Sequence, residues 1–130
     1  VIDAGLFTLL STTSAITALC GTRIYPVTFP TGPTYPAMAF KWIGAKPNPT
    51  LRNSGYQRWR MEFECRDHTY ALALAMRGAL RSTLEGYNGV LSDGTFLQDA
   101  QFVQLRDDFE DDPRVYCCTI EFYLFFNLSS

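Results

Sequence analysis

Between Tyr56 and Asp67 apolar and charged positions alternate: Trp59, Met61, Phe63 and Cys65 are separated by Arg58, Arg60, Glu62, Glu64 and Arg66. A period of two sends successive side chains to opposite sides of a strand, so this stretch predicts one dry face and one charged face. After Asp67 the period lengthens to about 3.6, that of a helix. Leu72, Ala73, Met76, Ala79, Leu80 and Leu84 form one apolar stripe, with Arg77 and Arg81 expected on the other side. Asp67 is the expected N-cap, and Gly86 the expected stop, in a left-handed conformation.

The same patterning organises the rest of the chain. Leu6, Phe7, Leu9 and Leu10 recur at helical spacing until Ser11 to Ser14 interrupt them, which predicts two short helices, the second over about 13–20 with Ile16 and Leu19 inward and Gly21 closing it. Arg23 to Tyr25 form a short extended piece ending at Pro26, and the prolines up to Pro36 forbid regular structure there. Ala37 to Ile43 reads as a strand with Met38, Phe40 and Trp42 on one face. Gly44 to Gly55 reads as a long polar loop that serves either as a hairpin tip or, the preferred reading, as a contact arm carrying Lys46 and Arg52. A strand over about 100–105 leads into residues 106–113, where Asp107, Asp108, Glu110, Asp111 and Asp112 place five of the thirteen acidic residues within six positions. That run is expected to be a solvated connection, with a contact surface as the alternative. From Arg114 to Asn127 both faces are apolar, as in a strand that is central or covered by a neighbouring chain. The pattern therefore describes a layered α+β fold, a charged strand face opposite a helix-covered one, in one domain over residues 1–130.

Composition narrows the function. Hydrophobic residues make up 47% and charged residues 18%, so the chain folds without a staple and has apolar surface to offer a partner. With a net charge of −2 a general electrostatic hold on nucleic acid is unsupported. Nine of the eleven basic residues are Arg, the type suited to planar interface contacts. No apolar run reaches membrane-span length and no leader pattern opens the chain, so synthesis in the cytosol is expected, with no membrane partner. Cys20, Cys65, Cys117 and Cys118 lack metal-ligand spacing and read as reduced, mostly buried thiols, a disulfide or metal site being the minor reading. His68 has no nucleophile motif near it and reads as a surface or capping residue. No catalytic, cofactor-binding or metal-binding residues are assigned, and the chain is not expected to be an enzyme.

The order of these signals resembles the small tail-completion proteins of long-tailed bacteriophages, the tail terminator or head-tail joining proteins. The resemblance is carried by Leu6 to Pro26, Gly32 to Phe40, Arg58 to Leu80 and Asp107 to Phe122. It implies an α+β fold with an antiparallel sheet covered on one face by helices, and a structural virion protein that assembles as a homo-hexameric ring at the head-proximal end of the tail tube, after synthesis in the host cytoplasm. The ring ends tube polymerisation and offers a head-joining surface. Implied partners are the tail tube protein on one side and a head-completion or connector protein on the other, with DNA passing the lumen without specific binding. On this reading Lys46 and Arg52 contact adjacent rings, and Arg58, Arg60, Glu62, Glu64 and Arg66 pair subunits. Asp107, Asp108, Glu110, Asp111 and Asp112 face the lumen or a docking partner. The alternative is a nucleic-acid or peptide-binding α+β module.

Overall fold

The computed structural model describes residues 2–21, 23–26, 29, 34–47, 56–92, 94–111 and 114–127. In chain order its elements are α1 (Ile2–Thr12), α2 (Ser14–Cys20), β1 (Ile24–Pro26), β2 (Ala37–Pro47), β3 (Tyr56–Asp67), α3 (Tyr70–Leu84), β4 (Gly89–Val90), β5 (Phe96–Asp111) and β6 (Arg114–Asn127). The strands form one six-stranded sheet in the order β1-β2-β3-β6-β5-β4. All neighbours are antiparallel except β1, which runs parallel to β2. The doubly apolar β6 lies inside the sheet between β3 and β5, as its two dry faces require.

Register decides which side chains meet the helices. Met61, Phe63 and Cys65 of β3 stand opposite Phe122, Ile120 and Cys118 of β6. These share one face with Met38 and Phe40 of β2 and with Leu97 and Ala100 of β5, and all are buried. Helix α3 packs on β3 and β6, α2 on α3, and α1 on α2 and β1. Leu6, Leu10, Ile16, Met76, Leu80 and Leu84 thereby close a single core on that face. Phe63 and Phe122 are fully buried at its centre, their rings 6.1 Å apart and nearly perpendicular. Burial of each stabilises the fold by about 1.5–3 kcal/mol.

The helix boundaries follow local chemistry. Thr13 stands between α1 and α2 with its hydroxyl donating to the Leu9 carbonyl at 2.7 Å, and Gly21 closes α2 at φ 60°. Thr69, not Asp67, is the N-cap of α3. Asp67 acts one step earlier: its Oδ2 accepts the Thr69 backbone N–H at 2.9 Å and the Thr69 hydroxyl at 2.5 Å, fixing the turn from β3 into α3. Gly86 ends the helix at φ 76°.

Three expectations need correction. Residues 44–47 belong to β2, which continues through a bulge between Trp42 and Gly44, so a polar sequence extends the strand, and the rest of the expected loop, 48–55, lies outside the described residues. The expected solvated connection at 106–113 is largely strand. Asp107 to Asp111 are the last rungs of β5, paired with Cys118 to Arg114. Arg77, expected on the outer side of α3, is only 7% exposed and points toward β5.

Candidate assembly surface

The sheet face away from the helices is built from the alternate, charged positions. Glu62 of β3 and Glu121 of β6 are directly opposite one another, 7% and 3% exposed. Opposed carboxylates repel, so the face is held only because cations enter from both flanking strands. Arg60 Nε donates to Glu121 at 2.7 Å, and Lys41 of β2 lies 3.4 Å from Glu62. Arg106 of β5 reaches both: 2.7 Å to Glu62 and 3.9 Å to Glu121, with a third contact to Asp108 at 3.0 Å. Gln104 Nε2 completes Glu121 at 2.6 Å. Farther along, Arg66 pairs with Glu64 and with Glu110 at 3.2 Å, and its guanidinium lies 4.7 Å from the Phe29 ring. Glu62, Glu64, Arg60 and Arg66 thus find partners within the subunit. Arg58 is exposed and rests over the Tyr123 ring at 5.2 Å.

At the end of the sheet where β5 turns into β6, the helix-side positions become aromatic. Tyr70 of α3, Phe109 of β5 and Tyr116 of β6 stand with ring centroids 5.6 Å (Tyr70 to Tyr116) and 4.8 Å (Phe109 to Tyr116) apart. With Asp107 and Asp108 they line an open cleft of about 370 Å³. Asp107 is fixed by the buried Arg77 and by the Tyr70 hydroxyl at 2.8 Å, and Arg77 also donates to the Arg106 carbonyl at 3.3 Å. The Tyr70 hydroxyl and the Arg77 guanidinium hold the Asp107 carboxyl below the ordinary carboxylate range, and the same carboxylate raises the Tyr70 phenol. Lys46 lies in β2 opposite Arg58, and Asp111 in β5 opposite Arg114. Arg52 and Asp112 lie outside the described residues.

The model of the family "Tail completion protein gp17" matches residues 4–126. The chain belongs to that family. Among solved structures, a chain of "Virion of native gene transfer agent (GTA) particle" superposes with a TM-score of 0.74 at 17% identity, covering 96% of this chain and 93% of that one, a likeness of fold. Curated protein sequences contain no match.

For a tail completion protein, a structural component of a phage virion, the surfaces that matter are those that meet other subunits. The sequence pattern had singled out the charged strand face and the acidic run, and both are surfaces of the sheet. It had not singled out the cleft. Phe109 and Tyr116 flank the hairpin at equal distance, a pairing signal in the sequence, but Tyr70 joins them only through the packing of α3. The four cysteines are free and buried, and burial drives their thiols upward, Cys117 to about 12. His68 is exposed, its Nδ1 2.9 Å from the Arg114 carbonyl and its ring edge-on to Tyr35. No helix among the described residues is long and apolar enough to cross a membrane.

Proposed function

We propose that this protein assembles as a hexameric ring on the head-proximal end of the phage tail tube, ends tube polymerisation there and offers the surface to which the head is joined. The observation that carries the reading is the family match over residues 4–126, nearly the whole chain. The fold likeness to a virion chain supports it. The function is binding and geometry, without catalysis: a closed ring covers the growing end of a tube and replaces its surface with a different one.

The charged strand face suits this role. Most charge partners of Arg60, Glu62, Glu64 and Arg66 are already on the same subunit, so covering the face with a neighbour costs less desolvation than burying unpaired charges. Exposed Phe7, Leu72, Leu74, Leu105 and Phe109 add apolar area for partners. The tube protein binds one side of the ring and a connector protein the other. Acidic residues among Asp107 to Asp112 face the lumen or the docking partner, where they let DNA pass without sticking.

The test is negative-stain electron microscopy of lysates from the parent phage with this gene inactivated, then complemented with purified protein. Filled heads beside abnormally long, headless tails are expected. Unattached tails of normal length assign the protein to head joining alone, and intact virions without it refute the reading.

A further inference from the structure

Two long strands of the sheet are scarcely covered by the short strands outside them. β5 has sixteen residues, yet β4 pairs with it only at Phe96 and Leu97. Two further contacts reach its outer side, from Asn88 Nδ2 to the Gln98 carbonyl and from the Gly86 N–H to the Ala100 carbonyl. From Gln101 to Asp111 the strand partner among the described residues is β6 alone. At the opposite margin β1 covers β2 at Met38 to Phe40, and from Lys41 to Pro47 the strand partner among the described residues is β3 alone. Every second residue of such an edge turns its backbone N–H and C=O outward.

Exposure agrees with the topology. Residues 104–109 are exposed on both faces of β5, apolar Leu105 and Phe109 among them, and Ile43 on the β2 edge is 44% exposed. A long open edge with apolar side chains is a template for another strand.

Direction, obstruction and charge together select that strand. Counted through β3 and β6, β2 and β5 run antiparallel to one another. A second copy in the same orientation therefore brings its β2 edge to this β5 edge as the next antiparallel strand. With Lys41 of the neighbour opposite Glu110 and Pro47 of the neighbour opposite Leu105, β1 lies past one end of the junction and β4 past the other. The bulge between Trp42 and Gly44 keeps the faces matched, Lys41 with Glu110 on the charged side and Trp42 with Phe109 on the helix side. Residues 105–111 hold four carboxylates and one Arg, whereas 41–47 hold two Lys and no acid. Pairing β5 with β5, or β2 with β2, sets segments of like charge against each other, which disfavours both. Arg77 and Arg66 already engage Asp107 and Glu110, so the backbone supplies the attachment and net charge selects the edge.

We infer that subunits join edge to edge, residues 41–47 of one copy adding to residues 105–110 of the next as an antiparallel strand, so that one sheet runs on through the assembly. This inference rests on the ring reading and specifies its contact. Within one subunit Lys41 shares a row with Gln104, through Glu62 and Glu121, six residues short of Glu110. Each junction therefore advances by about 20 Å along the strands, at 3.3 Å per residue. Across four strands about 4.8 Å apart that gives a tilt of roughly 45°, at the upper end of what closed sheets adopt.

The test places cysteines at the junction in full-length protein used to complement the gene-inactivated phage, with thermal melts checking that each variant folds. In assembled particles carrying both K41C and E110C, mild oxidation is expected to give a ladder of covalent species up to the hexamer. Either single variant is expected to stay monomeric under the same oxidation, the four native thiols being buried. Monomer alone from the double variant, or dimers from a single one, overturns the edge pairing. Hydrogen exchange reads the backbone itself. The outward amides within 105–110 are expected to slow by at least about tenfold when dilute subunits assemble, and unchanged exchange in formed rings overturns the inference. Absence of rings in wild-type particles is a different outcome, and refutes the ring reading itself.

Discussion

Arg106→Met tests whether one guanidinium holds two opposed carboxylates within the sheet face. Glu62 and Glu121 are Cα partners across β3 and β6, and both are nearly buried. Arg106 spans them from β5 and is itself 51% exposed. Removing one partner of a buried ion pair costs about 3–5 kcal/mol, because it strands the other charge. Here Lys41 and Arg60 remain beside the carboxylates, and solvent screens the outer half of Arg106, which reduces the cost to about 2 kcal/mol. Met keeps most of the apolar stem, so lost packing contributes little. In a domain of this size about 2 kcal/mol lowers Tm by roughly 6–10 °C. The assay is thermal unfolding followed by circular dichroism at neutral pH and matched protein concentration. Adding E121Q to R106M removes one of the two opposed charges while keeping a hydrogen-bonding group beside Arg60 and Gln104, and is expected to recover at least half of the loss. A Tm for R106M within about 2 °C of wild type, or a double variant no more stable than R106M, refutes the account.

Two further predictions concern stability. The folded-state Asp107 carboxyl is depressed, so its contribution is present above about pH 4 and lost as the pH falls through the folded value. D107N is therefore expected to flatten the acid limb of a Tm-against-pH profile, and an unchanged limb counts against the Tyr70 and Arg77 contacts. Gly78 of α3 has open space where a Cβ would be, so G78A is expected to stabilise by about 0.5–1 kcal/mol in urea unfolding. Gly86, equally unobstructed but at φ 76°, makes G86A destabilising by about 1 kcal/mol, and equal signs for the two variants would refute the backbone argument.

Periodicity made the core legible. Met61, Phe63 and Cys65 are fully buried, as their alternation requires, and the α3 stripe is buried at Ala73, Met76, Leu80 and Leu84. What periodicity alone also contained, and residue type concealed, is Arg77: it lies four residues after Ala73 and is therefore on the stripe, its charge taken up by Asp107. The same substitution of type for position shortened β5. Counted as acids, Asp107 to Asp111 describe a connection. Placed by parity, Asp107 and Phe109 share the helix side, while Arg106, Asp108 and Glu110 fall on the charged side, within reach of Arg106 itself and Arg66. Gly44 to Pro47 extend β2 because a bulge absorbs the break in alternation, a feature that depends on the partner strand. Leu72, expected in the stripe, is 40% exposed, since α3 has only one sheet to cover. The cleft joins three elements and has no local signature.

The position of β6 has a bearing on synthesis. Among the described strands it is the last to be synthesised, yet it fills the middle of the sheet, so Arg60 waits for Tyr123 and Phe63 for Ile120. Until then a nascent chain holds the β2–β3 hairpin and its helices without the strand that joins them to β5. Folding is dominated by such distant pairings and completes only after translation has passed residue 127. A product that ends before β6 lacks the centre of its sheet, and with it the strand that joins β3 to β5.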